Sequence, residues 1–329
     1  MSEPSESPND VVAHALAEQM AAALARGSGR ARWLRDPPSV AMLALGELVA
    51  GRFAVERFVA RGGMGEIYLA LDRERGRRMA IKTVLSTQGD DVRAIRRLIR
   101  EVGLASRVRH PNVCRVHGAG IHATSSRDVV HFMVMDFVDG PSLRAWRRAA
   151  EPSVSRALQV ARQILLGLDA VHTAGLIHGD LKSDNVLIED DAGDPRAILV
   201  DFGLSLRLDG SERPTGVMRS GSFGYMAPEQ LAGGAIAAHT DIFSFGVVLF
   251  ELLTGELPYP LAEGAGPPAQ WREGEGARAP VFPACHDGLP SGVAALVARC
   301  LHHEPAERFA SARETLEALE ALAARETAP

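Results

Sequence analysis

His178-Gly179-Asp180-Leu181-Lys182-Ser183-Asp184-Asn185 runs straight into the apolar triplet Val186-Leu187-Ile188, and after a short acidic connection comes Leu199-Val200-Asp201-Phe202-Gly203. Moving a phosphoryl group onto a hydroxyl needs a base for that hydroxyl, a positive charge near the transferred group, and oxygen ligands for a magnesium ion. Asp180, Lys182 and the pair Asn185/Asp201 offer these in that order. Any one of them alone reads as a cap or turn residue in an Asp-rich loop. Together, each beside a hydrophobic strand-like run, they make chance a poor explanation.

Two weaker signals lie upstream. Ala60-Arg61-Gly62-Gly63-Met64-Gly65 sits between strand-like runs, and glycines there let backbone N–H groups approach phosphate oxygens. A ligand-free hairpin turn is an equally good local reading. A dinucleotide-binding loop is disfavoured, because it should lead into a helix whereas Ile67-Tyr68-Leu69 continues as strand. In Ala80-Ile81-Lys82, a lysine inside an apolar strand needs partners or a route to water. Glu101, on the helix expected over 91–108, is a candidate partner, with an ordinary solvated glutamate as the alternative.

Working outward, Phe53 to Val59, Glu66 to Leu71 and Met79 to Val84 are short strand-like runs, and Asp128 to Val138 reads as a further strand pair. Helical spacing then dominates: Ala157 to His172, the nearly all-apolar Asp241 to Leu253, and the segments 291–302 and 311–324. Residues 255–290, rich in Gly, Pro and Ala, form a surface loop. At the other end, 1–9 read as a disordered tail and Val12, Leu16, Met20 and Leu24 as one stripe of an amphipathic helix.

Composition narrows the class. With 329 residues, two cooperating lobes are expected, and 46% apolar with 23% charged residues is ordinary for a globular protein. A net charge of −5 argues against a general nucleic-acid binder. Cys114, Cys285 and Cys300 match no metal spacing and fit a reducing compartment. The acidic start is unlike a secretory signal, and the longest apolar run, Ile242 to Phe250, falls short of the ~20 residues that span a bilayer. A cytoplasmic protein with no nucleic-acid or membrane partner is expected.

The motif set resembles the eukaryotic-like (Hanks-type) Ser/Thr protein kinases of bacteria, in family order over roughly 51–322: Gly-rich loop, Lys82, Glu101, the loop 178–185, Asp201-Phe202-Gly203, Ala227-Pro228-Glu229, Asp241 and Arg308. The resemblance implies an α+β, two-lobed protein kinase fold, with a small antiparallel β lobe carrying one main helix (51–138) and a larger, mostly helical lobe (139–322). Residues 1–50 would be an N-terminal extension and 323–329 a tail.

It also implies roles. Asp180 would be the catalytic base and Lys182 would steady the γ-phosphate. Asn185 and Asp201 would hold Mg²⁺, or Mn²⁺ in its place. Lys82 would bind the α- and β-phosphates of ATP, fixed by Glu101. Ala60, Gly62, Gly63 and Gly65 would cover the phosphates. Ala80, Met135, Asp136, Val138 and Leu187 would surround adenine. Glu229 and Arg308 would form a buried ion pair, and Asp241 would brace the catalytic loop.

A protein substrate bearing Ser or Thr is implied by the segment Phe202 to Glu229, by Lys182 and by Ser222. A small-molecule phosphotransferase of the same fold and a nucleotide-binding pseudokinase or scaffold are the rival readings. Two positions depart from the family pattern. Ala60 stands where the first loop glycine is usual, and Gly179 replaces the Arg that usually pairs with an activation-segment phosphate. Autophosphorylation is expected, together with activity that does not depend on such a phosphate on Thr215, Ser220 or Ser222. The row Arg93, Arg96, Arg97 and Arg100 reads as a solvated face or as a dock for a regulatory partner or the chain's own N-terminal segment.

Overall fold

The computed structural model describes residues 41–62, 65–84, 102–125, 129–191, 193–201, 220–259 and 292–326. They fall into two compact units, one ending at Val108 and resuming over Arg115–Val138, the other made of Arg109–Cys114 and the chain from Asp139 onward.

The first unit is a six-stranded antiparallel sheet of β1 (Leu48–Val49), β2 (Phe53–Gly62), β3 (Gly65–Asp72), β4 (Arg77–Val84), β5 (Val116–Ala123) and β6 (Val129–Asp136), in the order β1-β2-β3-β4-β6-β5. Strand alternation sorts its side chains onto two faces. Val55, Tyr68, Ala70, Met79, Ile81, Phe132 and Val134 form one apolar core with Leu43 and Val49. Leu69, Ala80, Lys82, Met133 and Met135 are buried but stand outside that cluster.

Two expectations change here. The unit begins before residue 51: Leu43 and Val49 are in its core, and the Leu43 N–H donates to the Tyr68 hydroxyl at 3.0 Å while Met42 N–H donates to Glu66 Oε2 at 2.8 Å. From the stretch 41–50, Leu43 and Val49 bury themselves on the sheet, whereas Leu45 stays exposed. Secondly, 128–138 contributes one strand, β6, and its partner β5 comes from upstream. The sequence of β5, Val-His-Gly-Ala-Gly-Ile-His-Ala, breaks apolar alternation with two glycines, which conceals a strand from pattern reading.

In the second unit, α1 (Leu143–Ala150) and α2 (Val154–Thr173) are capped by Ser142 and Ser153, whose hydroxyls accept the N–H of Ala145 and Arg156 at 3.3 Å. The hairpin β7 (Val186–Asp191) and β8 (Asp194–Leu199) follows, then α3 (Pro228–Leu231), α4 (Ala238–Thr254), α5 (Val293–Cys300) and α6 (Ala312–Glu326). Helix α4 is buried from Thr240 to Leu253 and is the axis of the core. Each fully buried Phe or Leu there contributes roughly 1.5–3 kcal/mol.

Residues 109–114, expected in the smaller lobe, belong to this unit. Leu199 N–H donates to Asn112 O at 2.9 Å, Cys114 N–H to Leu199 O at 2.8 Å, and Asn112 Nδ2 to Ala197 O at 2.8 Å. The segment therefore extends the edge of β8. Cys114 and Cys300 are both buried, and burial pushes the Cys300 thiol well above its usual value. Among the described residues no helix is long and apolar enough to cross a membrane.

Candidate active site

In the smaller unit, strand register gathers the residues expected around a nucleotide. Ala60 pairs with Ile67, and Gly62 with Gly65, closing the β2–β3 hairpin. Gly65 has φ 149°, and a Cβ there would lie 1.7 Å from the backbone oxygen of Thr83, so only glycine lets the hairpin lie this close to β4. On β4, Ala80 pairs with Leu69 and Met135, and Lys82 with Ile67 and Met133. Ala80 and Lys82 are two residues apart and share a face, with Met135 beside the first. Lys82 is 5% exposed, between Ile67 and Met133 on the neighbouring strands.

At the end of β6, Asp136 N–H donates to Arg115 O at 2.9 Å, and the Asp136 carboxylate lies 2.7 Å from His117 Nε2. Burial alone would raise the Asp136 carboxyl, but His117, Arg77 and Arg115 hold it below its usual value. Val138 follows, half-buried. Gly63 and Glu101 lie outside the described residues, as do 91–101 and 202–219.

In the larger unit the loop 178–185 is built around two carboxylates. Asp180 Oδ2 accepts Lys182 Nζ at 2.5 Å and Asn185 Nδ2 at 3.1 Å, and Asn185 Nδ2 also reaches Asp180 O at 2.8 Å. With its nitrogen turned to Asp180, the amide of Asn185 presents Oδ1 on its other side. Val200 N–H donates to Asn185 O at 2.9 Å, which sets Asp201 directly after a residue bonded to Asn185. Asp201 has φ 59°, a left-handed conformation uncommon outside glycine and tolerated best by Asn and Asp. Leu187 is half-buried on the face of β7 opposite the fully buried Val186 and Ile188.

Asp241, at the first turn of α4, supports the loop from below. Its Oδ2 accepts His178 N–H at 2.8 Å and lies 2.8 Å from His172 Nε2, and its Oδ1 accepts Gly179 N–H at 2.8 Å. Burial would raise the Asp241 carboxyl, but the hydrogen bond and charge of His172, with the nearby His178 and Gly179, keep it below the usual range and ionised. The His178 ring is wholly buried, and desolvation lowers its pKa, so it is a neutral wedge under the loop.

Pattern reading missed a second layer. Glu251, on α4, accepts the hydroxyls of Ser183 and Tyr225 and pairs with Arg144 Nη1 at 2.7 Å. Arg144 Nη2 donates to the Tyr225 hydroxyl at 2.5 Å, and Ser244 Oγ to Tyr225 O at 2.9 Å. Gln230 is a further omission: its Nε2 donates to Gly179 O at 3.0 Å and its Oε1 accepts Ala227 N–H at 2.9 Å. Only its place three residues after Ala227, where Gln commonly turns back on a helix start, offered a hint.

A family model described as the protein kinase domain matches residues 53–319. The chain belongs to this family. It is 35% identical over 280 residues to the serine/threonine-protein kinase PknJ of Mycobacterium tuberculosis (strain ATCC 25618 / H37Rv), which covers 83% of this chain and 45% of that protein. It is 33% identical over 218 residues to the serine/threonine-protein kinase PrkC of Bacillus subtilis (strain 168), covering 66% of this chain and 32% of that one. The chain thus spans less than half the length of these two curated relatives. The crystal structure of the Mycobacterium tuberculosis PknI kinase domain matches 85% of this chain and 99% of its own with a TM-score of 0.64 at 26% identity. The fold is that of a protein kinase, with an N-terminal antiparallel sheet followed by a mostly helical lobe.

Proposed function

We propose that the protein transfers the γ-phosphate of ATP to a serine or threonine hydroxyl of another protein. The observation that carries this reading is the convergence of Lys182 and Asn185 on the carboxylate of Asp180. Asp180 is the base that orients the substrate hydroxyl and takes its proton, and Lys182 places a positive charge beside the group in transit. In the smaller unit Lys82, with Glu101 as its ion-pair partner, holds the α- and β-phosphates. The backbone at Ala60, Gly62, Gly63 and Gly65 covers them, and Ala80, Met135, Asp136, Val138 and Leu187 receive adenine.

Asn185 Oδ1 and the Asp201 carboxylate are hard oxygen donors, and the turn of the Asn185 nitrogen toward Asp180 keeps that oxygen available, so the pair suits Mg²⁺. Bound there, the ion would neutralise phosphate charge during transfer. Mn²⁺ would serve in its place.

Gly179 carries no side chain that could pair with an activation-segment phosphate, so we take activity to be independent of phosphate docking at this position. We assign a regulatory partner to the smaller unit or to the N-terminal segment.

The test is incubation of the full chain with γ-labelled ATP and Mg²⁺, alone and with a generic basic protein, beside Asp180→Asn. Phosphoserine or phosphothreonine formed by the wild type and absent from the variant is the expected result. Magnesium-dependent ATP binding without any transfer would move the assignment to a pseudokinase. Transfer to a small molecule alone would make it a small-molecule phosphotransferase.

A further inference from the structure

Gly179 immediately precedes Asp180, and its φ of 71° is a conformation that glycine adopts without strain. The same freedom means that no side chain at 179 restrains the peptide plane entering Asp180. Two hydrogen bonds do so. Gly179 N–H donates to Asp241 Oδ1 at 2.8 Å, and Gly179 O accepts Gln230 Nε2 at 3.0 Å, so the peptide planes before and after this residue are each held. The far end of the same amide, Gln230 Oε1, accepts Ala227 N–H at 2.9 Å. One neutral side chain therefore joins the start of α3 to the residue ahead of the base.

We infer that Gln230 is a positioning residue for phosphotransfer. Acting through Gly179, it fixes the orientation of Asp180 and couples the catalytic loop to the segment Ala227–Glu229 without a phosphate. The inference rests on the kinase reading above and adds the residue that makes phosphate docking unnecessary. An amide suits both contacts without charge, because its NH2 donates to a carbonyl while its oxygen accepts an N–H.

Two variants separate these bonds. Gln230→Met removes both, whereas Gln230→Glu keeps an acceptor for Ala227 N–H and loses the donor to Gly179 O. Each is assayed as the full chain after phosphatase treatment, with γ-labelled ATP, Mg²⁺ and a generic basic protein, beside the wild type and Asp180→Asn, and thermal midpoints are recorded. Both variants should lose kcat by about fivefold, the worth of one hydrogen bond, with KM for ATP unchanged and midpoints near wild type. Wild-type kcat in Gln230→Glu overturns the inference, because Ala227 capping alone would then account for Gln230. Losses of kcat that only track a lowered midpoint overturn it as well. If the wild type transfers no phosphate at all, the kinase reading itself fails and the inference goes with it.

Discussion

Arg308 and Glu229 form a bidentate ion pair, Nη1 to Oε1 at 2.8 Å and Nη2 to Oε2 at 2.9 Å, across 79 residues of chain. The guanidinium is fully buried, lies over the Phe243 ring at 4.9 Å, and also donates to the carbonyls of His302, His303 and His239. Every polar atom of the fork thus has a use. Removing one member leaves a buried charge without its partner. Arg308→Ala should lower stability by about 3–5 kcal/mol, read from urea unfolding, and Arg308→Lys should restore only part of it because an ammonium cannot fork. A double variant, Arg308→Met with Glu229→Gln, should be less damaged than either single alanine variant. The opposite order would show that the packing of Arg308 matters more than its charge.

Asp180→Asn keeps the shape of the residue and removes the base. On the proposed assignment it should lower kcat by about 10²–10⁴-fold while leaving nucleotide binding near wild type, measured by labelled-phosphate transfer and by calorimetry. A variant that retained most of its turnover would transfer the role of base to another group.

Asn185→Ala removes one proposed oxygen ligand and also the amide that reaches Asp180. Asp201→Asn removes a charge from the other. Both should raise the Mg²⁺ concentration needed for half-maximal transfer, Asp201→Asn by more because a carboxylate binds a hard cation more strongly than an amide. Titrating Mg²⁺ at fixed ATP separates this from a simple loss of rate. An unchanged midpoint in both would place the ion elsewhere.

Stability should fall in acid in two stages. Burial lowers the pKa of the His178 ring, so the unfolded chain takes up its proton first and stability declines as pH drops below the ordinary histidine value of 6.5. Asp241 and Glu229 are held below their ordinary values of 3.8 and 4.5, burial being outweighed by His172 in one case and Arg308 in the other. Their contribution is therefore complete above about pH 5 and lost as pH falls through the folded-state values. Urea midpoints from pH 8 to 3 should show both declines. In Asp241→Asn the acid stage should shrink while the histidine stage remains; an identical curve would remove Asp241 from the account.

Much of the site was legible because its chemistry is local in sequence. Asp180, Lys182 and Asn185 lie within one short loop, and the backbone that presents them is the loop itself. Ala80 and Lys82 were likewise readable, since period-two alternation places them on one face of a strand whatever the strand pairs with. What escaped notice was non-local. Strand β5 pairs through backbone groups and carries glycines and histidines, so its membership of the sheet leaves little apolar pattern. The start of the smaller unit was placed at 51 because Leu43 and Val49 reveal their partners only once β2 and β3 are folded.

The sequence by itself determined the class of protein, the order of its motifs and which residues are candidates for phosphotransfer, because these depend on chemical type and short spacing. The resemblance pointed to Asp241 as a brace for the loop, but only the tertiary structure decided which atoms hold it and that Gln230 joins them. Asp241 meets Gly179 from 62 residues away and Gln230 from 51, contacts that no spacing rule anticipates. The physical reason is that a loop of polar residues has no preferred shape until its backbone donors and acceptors find partners. In this protein those partners come from the buried start of α4 and from the first turn of α3.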